Sequence, residues 1–208
     1  VDIPKSSSHI RNSRNTTKWM YDLFGINDRA VTDAAEHAHL KVPMYDIYHS
    51  DQNDQWRYTL GRSGARPLLV IGLNPSTATQ EKLDPTVTRV EKVAQQCGFD
   101  GFVMLNLYPV RATYPKDLSS EADPVAYERN LEAIEKVVAQ YPAPTIWATW
   151  GGSIAKRPYF LQARDALHAR LTQYQPQWRR FGDLTAKGHP RHASRLNYSW
   201  TLEPYELA

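Results

Sequence analysis

The chain alternates short apolar runs with amphipathic segments, and this rhythm sets the expected architecture. Residues 1–15 (VDIPKSSSHIRNSRN) are polar and basic without hydrophobic periodicity, so they are expected to form a poorly ordered arm ahead of a single domain over 16–208. An Ala-rich run from Asp28 to Leu40 predicts a helix. VPMYDIYHS and QWRYTLGR alternate apolar and polar residues around DQND, which predicts a hairpin. RPLLVIGLN is continuously apolar, as a strand buried on both faces should be. Asp84 then offers a helix cap and Pro85 a first helical residue, with Gly98 as the stop. FDGFVMLNLYP predicts a second buried strand, APTIWATWGG a third and QWRRFGDL a fourth. Between them lie two helices, one with Tyr127, Leu131, Ile134 and Val138 on one face, the other with Phe160, Ala163, Leu167 and Leu171.

Strands alternating with helices build a parallel sheet through right-handed crossovers. The expected fold is therefore three-layer α/β/α, with a central, mainly parallel four-stranded sheet plus an N-terminal hairpin. Ligands of such sheets gather at the carboxyl ends of the strands. Those ends carry Asn74-Pro75-Ser76, Asn106, Trp150-Gly151 and, in the loop after the fourth strand, His189-Pro190.

Composition narrows the chemistry. The single cysteine of the 208 residues, Cys97, excludes disulfide frameworks, zinc ribbons and cysteine-ligated clusters, and it is read as a small buried apolar residue. No apolar run approaches the ~20 residues of a membrane span, so a soluble, cytoplasmic protein is expected. Phosphate-loop, dinucleotide and metalloprotease motifs are missing, and Ser76 lacks a nucleophile elbow. Neither cofactor nor metal is expected. His37 and His39 are read as surface residues, and Asp84 as a cap rather than a catalytic acid. The net charge of +3 is unevenly spread: residues 151–200 hold nine Lys/Arg against two acids, a net of +7, leaving −4 elsewhere. A basic segment around the late His-Pro loop suits phosphate neutralisation.

Four motifs in order, GLNPS at 72–76, VMLN at 103–106, ATWGG at 148–152 and HPRHASRL at 189–196, resemble the uracil-DNA glycosylase superfamily over roughly residues 66–196. The Asn of the first motif is nearest the mismatch-specific branch. GLNPSTA, NLYPVRAT and GHPRH also resemble an uncharacterised bacterial and phage family. The resemblance implies a monomeric, monofunctional DNA N-glycosylase that flips a pyrimidine from duplex DNA and hydrolyses its base–sugar bond, leaving an abasic site. It implies that Asn74 holds the attacking water and His189 donates to the departing base. Asn106 would read the base edge. Ser76 stands where uracil-specific members carry Tyr, which opens the C5 side to a 5-substituted or modified base and fits base excision or anti-phage defence. Tyr108 and Tyr114 are expected to stack on a base. Arg111, Arg191, His192, Ser194 and Arg195 are expected to hold DNA, since the aligned wedge position is only Ala193. No Lys aligns to form a Schiff base. Two alternatives remain: a same-fold hydrolase of modified nucleotides or RNA, and a non-catalytic nucleic-acid-binding module.

Overall fold

The computed structural model describes residues 44–82 and 84–207. The arm at 1–15, the helix expected over 28–40, and His37 and His39 lie outside the described residues. Ten main elements follow in chain order: β1 (Ile47–Ser50), β2 (Arg57–Arg62), β3 (Pro67–Gly72), α1 (Pro85–Gln96), β4 (Gly101–Asn106), α2 (Pro124–Val138), β5 (Thr145–Ala148), α3 (Pro158–Leu171), β6 (Gln177–Phe181) and β7 (Leu202–Pro204). The hairpin, the buried strands and the three helices fall where the periodicity puts them.

The sheet is larger than expected. It has seven strands in the order β1-β2-β4-β3-β5-β6-β7. The middle pairs β4–β3, β3–β5 and β5–β6 are parallel. The hairpin is part of the sheet rather than an appendage, because β2 pairs antiparallel with β4. At the other edge β7 pairs antiparallel with β6. This last strand is only three residues long and interrupted by Pro204, too short to show an alternation in sequence.

Each helix begins as its sequence dictates. Asp84 accepts hydrogen bonds from the Thr86 and Val87 amides, Pro85 needs no donor, and Gly98 at φ +78° turns the chain out of α1. Asp123 and Pro124 repeat the device for α2. Val87, Val90, Val93 and Ala94 of α1 form one cluster with Leu68, Val70, Phe102, Met104, Trp147 and Phe181 of the strands. The pleat turns the alternate residues Leu69, Ile71, Val103 and Leu105 to the other face. α2 and α3 pack on one another, and α2 reaches β2. Phe160, Ala163, Leu167 and Leu171 are all buried, as their spacing requires, while Tyr127 is only half-buried. Cys97 corrects the sequence reading: it is exposed, because it caps α1 beyond the last buried turn.

The order of the middle strands positions the site. β3 connects to β4 on one side, after which the chain crosses back to β5 on the other, so the winding reverses at β3. Loops leaving β3 and β5 diverge at such a point and leave a crevice at the strand ends.

Candidate active site

A cavity of about 810 Å³ lies at that crevice, walled by the ends of β3, β4 and β5, the start of α1 and the loop after β6. Asn106, the last residue of β4, is 1% exposed, and neither Oδ1 nor Nδ2 has a hydrogen-bond partner among the described residues. Its backbone carbonyl is satisfied by Asn130 Nδ2 at 2.8 Å. A buried amide left unpaired costs ~1–3 kcal/mol, so this side chain calls for a partner that the described residues do not supply. Gly72 makes room for it. The two residues are register partners, and a Cβ on Gly72 would lie 2.8 Å from Asn106 Oδ1 and 2.7 Å from the Met104 methyl.

Asn74, two residues beyond β3, presents the opposite situation. Its Nδ2 donates to the carbonyls of Ala112 at 2.9 Å and Pro75 at 3.1 Å. Both amide hydrogens are committed, which leaves Oδ1 as the free acceptor of a cavity-lining residue. Ser76 follows on the same wall, small and half-buried.

The loop after β6 brings Arg191, His192, Ser194 and Arg195 to the cavity. Backbone contacts pin it: Thr149 Oγ1 donates to the Arg191 carbonyl at 2.9 Å, and Arg89 Nη1 to that of Ser194 at 2.8 Å. Ala193 is 1% exposed in the core cluster, so it is an anchor and not a wedge. His192 caps the short turn Ala193–Arg195, its Nδ1 accepting from the Ser194 amide at 3.2 Å with Ser194 Oγ 2.8 Å away. A backbone N–H can only donate, so Nδ1 carries no proton and the neutral ring holds its hydrogen on Nε2. Burial pushes the His192 pKa below its ordinary 6.5, against a weaker upward pull from Asp84 and helped by Arg195.

Three sequence assignments change. His189 is absent from the cavity wall; it closes a turn in which its amide donates to Thr185 Oγ1 at 3.1 Å, and Thr185 does the lining. Tyr108 is 3% exposed, packs 4.9 Å from the Tyr159 ring and accepts through its hydroxyl from the Asp123 amide, so it fixes the start of α2 and has no free face for a base. Arg111 donates to Tyr48 Oη at 3.0 Å and Ala78 O at 3.0 Å, and pairs with Asp54 at 3.4 Å, so its guanidinium is spent inside the protein. Asp84 is the helix cap expected, and it also borders the cavity. Of the two strand-end tryptophans, Trp147 packs in the core and Trp150 borders the cavity with an unpartnered Nε1.

Two lining residues, Arg57 and Lys156, had no site role in the sequence reading, whereas Tyr114 did. Arg57 opens β2, where alternation suggests an ordinary polar position, yet it is 2% exposed. Lys156 and Tyr114 stand on the rim, and Tyr114 is 59% exposed. The basic segment is partly self-neutralised. Arg164, Arg170 and Arg180 pair with carboxylates, and Arg157 donates to the carbonyls of Lys116, Leu118 and Ser119. Arg191 donates through Nε to Asp183 O at 2.8 Å, while Arg195 and Lys156 remain exposed at the cavity. Among the described residues no group of three or more metal-ligating side chains occurs, and no helix is long and apolar enough to cross a membrane.

A family model described as protein of unknown function (DUF1643) matches residues 57–193. The match runs from Arg57 into the loop after β6 and takes in every lining residue except Ser194 and Arg195. No curated protein and no solved structure matches the chain.

Proposed function

The chain belongs to the DUF1643 family, and on that premise we propose that it is a monofunctional DNA glycosylase that flips a pyrimidine into the strand-end cavity and hydrolyses its base–sugar bond. The observation that carries this reading is Asn106, whose buried amide offers both a donor and an acceptor group and finds a partner for neither among the described residues. An amide with that pair of functions matches one edge of an extruded pyrimidine. The proposed fold around it is three-layered, with α1 on one face of the sheet and α2 with α3 on the other.

The chemistry follows from the geometry of the other groups. Cleavage of an N-glycosidic bond develops positive charge on the sugar and negative charge on the leaving base. Asn74 Oδ1 is free to accept from a water and hold it for attack; an amide is no general base at neutral pH, so its contribution is positioning. His192, rather than His189, takes the part of donor to the departing base. Its Nε2–H is neutral and preorganised, and such a donor strengthens as charge develops on the carbonyl oxygen it faces. Arg195 and Lys156 on the rim, with Arg191 behind them, suit the flanking phosphates. Ser76 leaves the wall small, in keeping with a substituent at C5. The 810 Å³ cavity is also generous for a bare pyrimidine, since pockets of ~300–1,000 Å³ hold drug-sized ligands. Modified bases of viral DNA, and hence anti-phage defence, are the setting we favour.

The test is an excision panel of duplexes containing uracil, mismatched thymine and 5-substituted cytosines, with released bases identified by mass spectrometry. Release of a 5-substituted base, lost in Asn74→Ala with duplex binding retained, is the expected result; clear preference for plain uracil removes the C5 argument, and no release from any duplex removes the enzyme. Sodium borohydride should trap no protein–DNA adduct, even though Lys156 borders the cavity.

A further inference from the structure

Arg57 takes no part in the chemistry above, yet it is the most anomalous charge in the molecule. The guanidinium is 2% exposed and no carboxylate pairs with it among the described residues. Nη1 donates to Ala78 O at 2.9 Å, and among the described residues Nε has no partner and Nη2 makes no hydrogen bond. Arginine has five donors and no acceptor, so a buried one with a single bond is under-used.

Its position is forced by the backbone. The Arg57 amide donates to Pro109 O, Arg111 N donates to Gln55 O, and Trp56 bridges to Val110, so the segment after β4 continues the pairing with β2 and sets the two arginines side by side. Both donate to the same carbonyl, that of Ala78. Arg111 has Asp54 at ion-pair distance; among the described residues Arg57 has no carboxylate that close, only the weaker, longer-range pull of Asp84 and Asp54. Burial, and next the Arg111 charge, lower the Arg57 pKa to about 10, which leaves it charged at neutral pH. Among the described residues Asp84 is the one carboxylate bordering the cavity, and it accepts from the Thr86 and Val87 amides at the start of α1. The helix terminus is thereby closed to an outside anion, and Arg57 is left as the open positive group of the inner wall.

We propose that Arg57 binds an anionic group of the ligand, a phosphate or a carboxylate, inside the strand-end cavity. Its assignment to a nucleotide ligand rests on the glycosylase reading. That reading admits two sources for the anion: the nucleotide's own phosphate, or an acidic substituent on the base. The guanidinium fork would meet either through paired, charge-assisted bonds. Because Arg111 also donates to Ala78 O, loss of Arg57 orphans no carbonyl there.

The full chain would be titrated calorimetrically with deoxyuridine, deoxyuridine 5′-monophosphate and 5-carboxydeoxycytidine. Wild type should bind at least one anionic probe ten times or more tighter than deoxyuridine; the monophosphate arm identifies the phosphate, the carboxyl arm the substituent. Arg57→Met should erase the preference while the free protein melts at the same temperature or higher. If Arg57→Met does not fold, Arg57→Gln, which keeps a donor toward Ala78 O, gives the same readout. Equal affinity of wild type for all three probes, or an undiminished preference in the variants, overturns the proposal. Asn74→Ala should keep the preference, so an inactive glycosylase with intact anion binding condemns the reaction and not the site, and the reverse result condemns the site alone.

Discussion

Two walls of one cavity are held in place by different means. The sheet wall, with Gly72, Asn106 and Arg57, uses backbone groups in its ladders and leaves side-chain donors and acceptors unsatisfied. The late loop is held differently: side chains from elsewhere, Thr149 Oγ1 and Arg89, tie down its backbone at Arg191 and Ser194, Ala193 is buried, and its open group, Arg195, is exposed at the rim. A rigid wall with unmet polar groups selects a ligand by refusing those that fail to satisfy it. An anchored loop with open cations contributes attraction that is less particular.

The largest effect should come from the sheet wall. Asn106→Leu is expected to lower base release by about 10²–10³-fold, the typical cost of a lost oriented hydrogen-bonding group. The same change should stabilise the free protein by up to about 1–3 kcal/mol, because it removes an unpaired buried amide. Single-turnover assays and thermal melts together check the pair, and a destabilised variant would mean that Asn106 is structural. Next comes His192→Gln, expected to slow release by about 10²-fold with substrate affinity little changed.

That variant also tests the wall by pH. The His192 pKa is lowered in the folded protein, so the unfolded chain binds more protons as pH falls below 6.5. Stability should decline from about pH 6.5 down through the lowered folded value and then level off. His49 and His189 are shifted in the same direction by burial, so His192→Gln should shallow this decline rather than abolish it.

Gly72→Ala is subtler. The added methyl meets only side-chain ends, the Asn106 amide and the Met104 methyl, so they must swing away. We expect a loss of about 1–3 kcal/mol of stability together with a larger fall in activity than that loss explains. The smallest effect belongs to the rim. Arg195→Ala and Lys156→Ala should each weaken duplex binding a few-fold and uniformly across sequences, reducing the salt slope by about one.

The elements were legible because their signals are local. Continuous apolar runs marked β3 and β4, and the paired Asp-Pro starts marked α1 and α2. Strand ends on a parallel sheet told where to look, which is why Asn74, Ser76 and Asn106 line the cavity as expected. Arg57 was not legible, because its burial depends on residues 109–111 folding back beside β2, a contact between distant stretches. His189 and His192 lie three residues apart in one loop, and a motif cannot say which of two histidines faces inward. Tyr108 and Arg111 illustrate the same limit. Their types suit nucleic acid, but their partners, Asp123 and Asp54, were decided by tertiary packing.

The short strand β7 has a consequence for the fate of incomplete chains. It occupies the open hydrogen-bonding edge of β6, and just beyond it the Tyr205 amide donates to Trp178 O at 2.9 Å while the Tyr205 ring meets Trp150 edge-on at 6.1 Å. A chain cut at Thr201 would keep every cavity-lining residue, yet it would lose the ring that supports Trp150 and bare the edge of β6 as a template for intermolecular strand addition in one event. Such fragments should aggregate rather than persist in solution, so residues 202–205 act as a seal on the edge of β6.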